Sequence, residues 1–152
     1  MTFHLAQLNL ARFRVPASDP ANAPYLAALA EVDAAAERHP GFVWRLRDAG
    51  ALAPGTSAAE TFGDPRIAAN LSVWTGRDAL VGFVYGDAAH RGMMARRREW
   101  FDRMENHLAL WWVPAGHRPG FAEGRDRLGL LRRDGPTARA FTVARAFPAP
   151  DG

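Results

Sequence analysis

The chain opens on alternation. From Phe3 to Arg14, Leu5, Gln7 and Asn9 fall on one side and Ala6, Leu8 and Leu10 on the other, the period of a strand with two unlike faces. An Ala- and Leu-rich stretch follows and predicts a helix. Ser18 or Asp19 suits its N-cap, and Pro40-Gly41 stops it. Gly41 to Arg47 reads as a second strand, with Phe42, Trp44 and Leu46 on one face and Val43, Arg45 and Arg47 on the other. Asp48 to Arg66, rich in Gly, Ala, Pro and Ser, has little periodicity and reads as a long, mobile connection.

Ile67 to Trp74 alternates again, setting Asn70, Ser72 and Trp74 against Leu71 and Val73. Helical spacing covers Arg77 to Tyr85 and then Ala88 to about Asn106, with a break at Gly86-Asp87. Leu108 to Pro114 predicts a fourth strand, Pro119 to Gly135 a third helix, and Phe141 to Phe147 a last strand. The order β-α-β-β-α-β, then α-β, is that of an α+β ferredoxin-like sandwich with an antiparallel sheet and helices on one face. One domain spans residues 1–152, with a variable loop at 49–64. Helices on one face leave the other bare. A face that mixes amides with indoles is too apolar for water and too polar for an ordinary core. A homodimer that buries it around a cavity is the expected solution.

Composition narrows the classes. Hydrophobic residues make up 48% and charged residues 23%, as in a globular domain, and the longest apolar runs are too short to span a bilayer. The start lacks a basic, then long apolar, signal segment, so no membrane and a cytoplasmic location are expected. The absence of Cys excludes disulfides and thiolate chemistry. The pI near 10.5 suggests nucleic acid, yet the net charge is only +3 and all 19 basic residues are Arg, whose high pKa raises the pI unaided. No basic stripe with interleaved aromatics appears, so no nucleic acid is expected. GxGxxG, Walker A and GxSxG motifs are missing. The five His never fall at HxxxH or HxH spacing, so no protein-built metal site is expected.

Candidate chemistry gathers between Asn70 and Phe101. His90 is followed at helical spacing by Met94, Arg97, Phe101 and Met104, so it either caps the helix break or faces a ligand. Arg97, between apolar neighbours, needs a carboxylate such as Glu31, Asp33 or Glu105, or else an anionic ligand. Asn70, Ser72 and Trp74 line either a cavity or a dimer interface, and Trp44 and Trp112 carry the same ambiguity. Trp100 reads as core or stacking wall, and Tyr85 as a cap or an anchor for a substrate oxygen.

These same stretches, HLAQLNLARF, PGFVWRLRD, NLSVWTGRDALVGFVYGDAAHRGMMARRREWF, LWWVPAGHRPGFAEGRDRLGLL and GPTARAFT, closely resemble the bacterial DUF3291 family. That family is similar to the dimeric alpha-beta barrel superfamily, which includes antibiotic-biosynthesis monooxygenases and haem-degrading enzymes. The resemblance implies a dimeric alpha-beta barrel and two kinds of chemistry. Cofactor-independent oxidation of a phenol would use Asn70, Trp74 and Tyr85 to hold the substrate anion. Haem degradation would use His90 as axial ligand, with Asn9 and Trp74 nearby.

Three functions therefore stay open. The first is a monooxygenase-like enzyme acting on a small aromatic or apolar metabolite. In it Asn9, Asn70 and Tyr85 orient oxygens, Trp74 and Trp100 stack, His90 moves a proton and Arg97 stabilises an anion. The second is a haem protein, and the third a non-catalytic ligand-binding or dimerisation module.

Overall fold

The N-terminal alternation becomes the centre of a sheet. A computed structural model describes residues 1–47, 57–104 and 107–151. Strand β1 (Phe3–Phe13) pairs antiparallel along one edge with β3 (Ile67–Trp74), which pairs in turn with β2 (Phe42–Leu46). Its other edge takes β5 (Leu108–Pro114) along Phe3 to Asn9 and the short β4 (Phe101–Asp102) at Arg12 and Phe13. The order β2-β3-β1-β5, every neighbour antiparallel, is the expected ferredoxin-like sheet. Among the described residues no helix is long and apolar enough to cross a membrane.

Among the described residues five α-helices surround it: α1 (Ala23–Arg38), α2 (Ala58–Phe62), α3 (Arg77–Gly86), α4 (Ala88–Arg96) and α5 (Phe121–Asp134). Local chemistry sets their ends. Asp19 accepts from Ala21 N at 2.8 Å and starts the turn that leads into α1, and Asp87 accepts from His90 N at 2.9 Å to cap α4. The α1 to β2 turn passes through Gly41 at φ +90°, where a Cβ would collide with Ala79 and Thr75.

Helices cover both faces of the sheet, whereas the sequence pattern assigned them to one. Leu5, Trp74 and Leu110 pack with Val32 and Ala36 of α1 and Leu80 and Phe83 of α3. Ala6, Leu8, Leu71, Val73 and Trp111 pack with Ala58 of α2 and Phe121, Leu128 and Leu131 of α5. Helix α5 sits so close that a Cβ on Gly124 would meet Leu8 Cδ2 at 3.1 Å. The face carrying Gln7, Asn70 and Ser72, read from the pattern as bare, is the one beneath α1 and α3.

Four further differences have physical causes. The register shifts between Phe42 and Trp44, so Phe42 opposes Trp74 while Trp44 opposes Val73 on the other face. A bulge resets the alternation, and Val43 is left 39% exposed. The helix predicted to reach Asn106 ends at Arg96 and passes through a 3-10 turn, Arg97–Glu99. There Trp100 is buried with Phe13 and Tyr25, and Arg14 N donates to Trp100 O at 2.8 Å, so tertiary packing overrides helical spacing. Residues 105 and 106 lie outside the described residues. The long connection contains α2, capped by Ser57 and ended by Gly63, while residues 48–56 lie outside the described residues. The last predicted strand, Phe141 to Phe147, is not a strand. Phe141 exchanges two backbone hydrogen bonds with Leu110, after which the Thr142 hydroxyl accepts from Arg145 N and bends the chain away.

Candidate functional site

On the α1 face of the sheet a lane of polar side chains crosses an otherwise apolar layer. Arg45 opposes Ser72, and Ser72 opposes Gln7. Gln7 Nε2 donates to Asn70 Oδ1 at 2.6 Å and to Ser72 Oγ at 2.8 Å, and Trp74 Nε1 donates to Ser72 Oγ at 2.9 Å. Two donors converge on one hydroxyl, so its own proton remains available to a further acceptor. Gln7 and Ser72 are buried, at 6% and 2% exposure. Asn9 and Asn70, opposite each other on β1 and β3, are only half-buried, as are Ala11 and Ala68 beside them. These lie on the two inner strands, where a closed helical layer would bury them. On the α1 face these amides and alanines are thus not fully covered. Apolar groups stand on either side: Leu5, Val32 and Trp74 to one, and Phe13, Tyr25 and Trp100 to the other.

Beyond Ser72 the lane ends in an ion pair, with Arg45 Nη1 2.8 Å from Asp33 Oδ1 of α1. Neither Arg45 Nε nor Asp33 Oδ1 makes a well-aligned hydrogen bond. Burial raises the Asp33 carboxyl against the opposing pull of Arg45, and burial also lowers the Arg45 guanidinium. Tyr25 is pushed up to about 12, first by burial and then by the charge of Asp33.

The two halves of the central stretch do not meet. Phe83 stacks on Trp74, with centroids 5.4 Å apart at 25°, and also meets the rings of His90 at 5.3 Å and His39 at 5.6 Å edge-on. The phenyl ring therefore fills the space between indole and imidazole. His39 and Phe42 complete the shell around Trp74. His90 is half-buried, and its Nδ1 has no hydrogen-bond partner among the described residues. Burial lowers its pKa, opposed by a hydrogen bond with the Val84 backbone and by Asp87. A haem needs an open, flat approach to an axial imidazole. A ring packed edge-on against Phe83 on a helix beside the sheet does not offer one, so these residues do not fit haem.

The other candidates scatter. Tyr85 is 65% exposed and Arg97 is exposed with no ion pair among the described residues, so neither joins the lane. Trp100 is buried in the Phe13–Tyr25 group with the Arg96 guanidinium over its ring. Trp44, on the opposite face, lies under Arg118, and Trp112 Nε1 donates to Phe147 O. Glu105, a proposed partner for Arg97, lies outside the described residues. Gln7 and the Asp33–Arg45 pair were not singled out. Their signal was weak: an Asp inside an alanine-rich helix, and an Arg between Trp44 and Leu46 in a strand. No group of three or more His, Asp or Glu among the described residues can hold a metal ion.

Comparison with known proteins identifies the family. A family profile described as "Domain of unknown function (DUF3291)" matches residues 4–152. The chain belongs to the DUF3291 family. No curated protein matches. In overall shape this DUF3291 chain is similar to SnoaB, a cofactor-independent oxygenase from Streptomyces nogalater. The match has 16% identity and a TM-score of 0.45, covering 76% of this chain and 95% of the other. It is similar also to NE2512, a protein of unknown function from Nitrosomonas europaea. There the identity is 14% and the TM-score 0.47, over 78% and 97% of the two chains.

Proposed function

We propose that this DUF3291 protein binds a small, largely aromatic molecule in the slot between the sheet and α1. The amides of Asn9 and Asn70 hold its oxygen, and the Gln7–Ser72 hydrogen bonds link that contact to the buried Trp74 indole. One observation carries the reading: on inner strands beneath a helix, amide and alanine side chains stay half-exposed beside a hydrogen-bonded polar lane. A solid core has no use for that opening, whereas an aromatic guest with one polar edge matches it. Arg45, opposite Ser72, is the nearest buried cation on this face and favours an acidic hydroxyl over a neutral one.

The test uses 1-naphthol and the tryptophan indole N–H resonances. Binding shifts the Trp74 indole signal, and Asn70→Ala weakens binding at least tenfold while the protein stays folded. An unmoved Trp74 signal at saturating 1-naphthol refutes the reading. Monooxygenase-like oxidation is the reaction we assign to this slot, and oxygen uptake that depends on a phenolic ligand and is lost in Asn70→Ala tests it.

A further inference from the structure

A second constellation lies on the other side of the molecule, where β5 leaves the shelter of α5. Trp111, fully buried, donates its Nε1–H to Glu123 Oε2 at 2.8 Å. The other carboxylate oxygen, Oε1, is 2.7 Å from His117 Nε2. Both oxygens are thus engaged, one by a core indole and one by an imidazole at the surface. His117 is itself held by a turn, its backbone N–H donating to Pro114 O at 3.0 Å. With Nε2–H given to the carboxylate, Nδ1 is left as the ring's basic nitrogen.

This imidazole borders a surface groove of about 530 Å³. Arg127 and Arg139 line the same groove, together with Glu123 and Asp126, and neither arginine forms an ion pair among the described residues. Arg127 Nη1 donates to Arg139 O at 2.8 Å, which ties the two segments together, and among the described residues its guanidinium makes no ion pair. Val113 and Leu130 supply an apolar wall. Asp126, also on the rim, is 3.5 Å from Arg125.

We infer that this groove is a binding site for an oxyanion, a carboxylate or phosphate, carried on an apolar body. Arg127 and Arg139 face the charge, and the His117 ring, aimed by Glu123, forms part of the wall beside it. Guanidiniums recognise planar and tetrahedral oxyanions by paired N–H donors, and the wall gives a hydrocarbon body somewhere to lie. A purely structural clamp explains the Trp111–Glu123–His117 chain, but it gives no role to Arg127 and Arg139, which share the groove with Glu123 and Asp126 and form an ion pair with neither. This site is separate from the slot on the α1 face, and neither depends on the other.

The experiment titrates the full chain with sodium benzoate and, separately, with inorganic phosphate, following the indole N–H resonances. Binding in the groove moves the Trp111 signal through Glu123 and leaves Trp74 unmoved. The double substitution Arg127→Gln with Arg139→Gln weakens that binding at least tenfold, and His117→Gln weakens it at least threefold with near-UV circular dichroism unchanged. Should the double variant not fold, Arg127→Gln alone carries the criterion at threefold. Response to benzoate but not phosphate assigns a carboxylate, the reverse assigns a phosphate, and both support an oxyanion site. A Trp111 signal indifferent to both anions, or equal binding by the folded variants, overturns it.

Discussion

Substitution of Ser72 by Ala removes one oxygen and disturbs two buried donors. Gln7 Nε2 keeps Asn70 Oδ1 at 2.6 Å, so its loss is that of one ordinary hydrogen bond, about 0.5–1.5 kcal/mol. Trp74 is 1% exposed and its Nε1 has no other hydrogen-bond partner among the described residues, so it is left unsatisfied, at about 1–3 kcal/mol. Together these give about 2–4 kcal/mol, a large part of the roughly 5–15 kcal/mol that holds a domain folded. Urea unfolding of wild type, Ser72→Ala, Trp74→Phe and the double variant measures the coupling directly. The two single losses overlap in one hydrogen bond, so the double variant loses about 1 kcal/mol less than their sum. A Ser72→Ala cost below about 0.5 kcal/mol, or strict additivity, refutes the account of the polar lane.

Three more outcomes follow from the same geometry. Asp33→Leu strands the Arg45 guanidinium and costs about 3–5 kcal/mol, while Asp33→Leu with Arg45→Met recovers most of it, as thermal and urea unfolding will show. Because burial holds the His90 pKa below 6.5, its contribution to stability is present above that value and is lost as pH falls through the depressed folded pKa. Unfolding measured between pH 7.5 and 4.5 will show His90→Leu losing less stability on acidification than wild type. Gly41→Ala combines a left-handed backbone with a clash against Ala79 and costs about 2–4 kcal/mol, read as a lower urea midpoint at constant m-value.

Much of this architecture is visible in the linear pattern. Alternation in Phe3–Phe13 and Ile67–Trp74 names the inner strands and even sorts Gln7, Asn70 and Ser72 onto one face, since period two has no competing reading there. The face assignments fail where packing decides. A bulge at Val43 moves Trp44 away from Trp74, and nothing in FVWRL announces it. Helix α5 has a clear apolar side, but an amphipathic helix does not say which sheet face it will cover, and its choice removes the bare surface inferred for that sheet. Helical spacing from His90 to Met104 is intact in sequence, yet burial of Trp100 outweighs it. The site suffered most, because a chain written in order cannot show that Phe83 lies between Trp74 and His90.

The placement of β1 bears on how the molecule is made. Among the described strands it precedes the others in chain order and has partners on both edges, Leu5 standing opposite Trp74 on one side and Trp112 on the other. Until β5 has left the ribosome, the strand carrying Leu5, Leu8 and Leu10 has an unmatched hydrogen-bonding edge beside the apolar residues it must later bury. The sheet closes only once β5 has been made, and through long-range contacts, which places it among slow, late-folding topologies. For the nascent protein, the hazard lies in β1 waiting for β5.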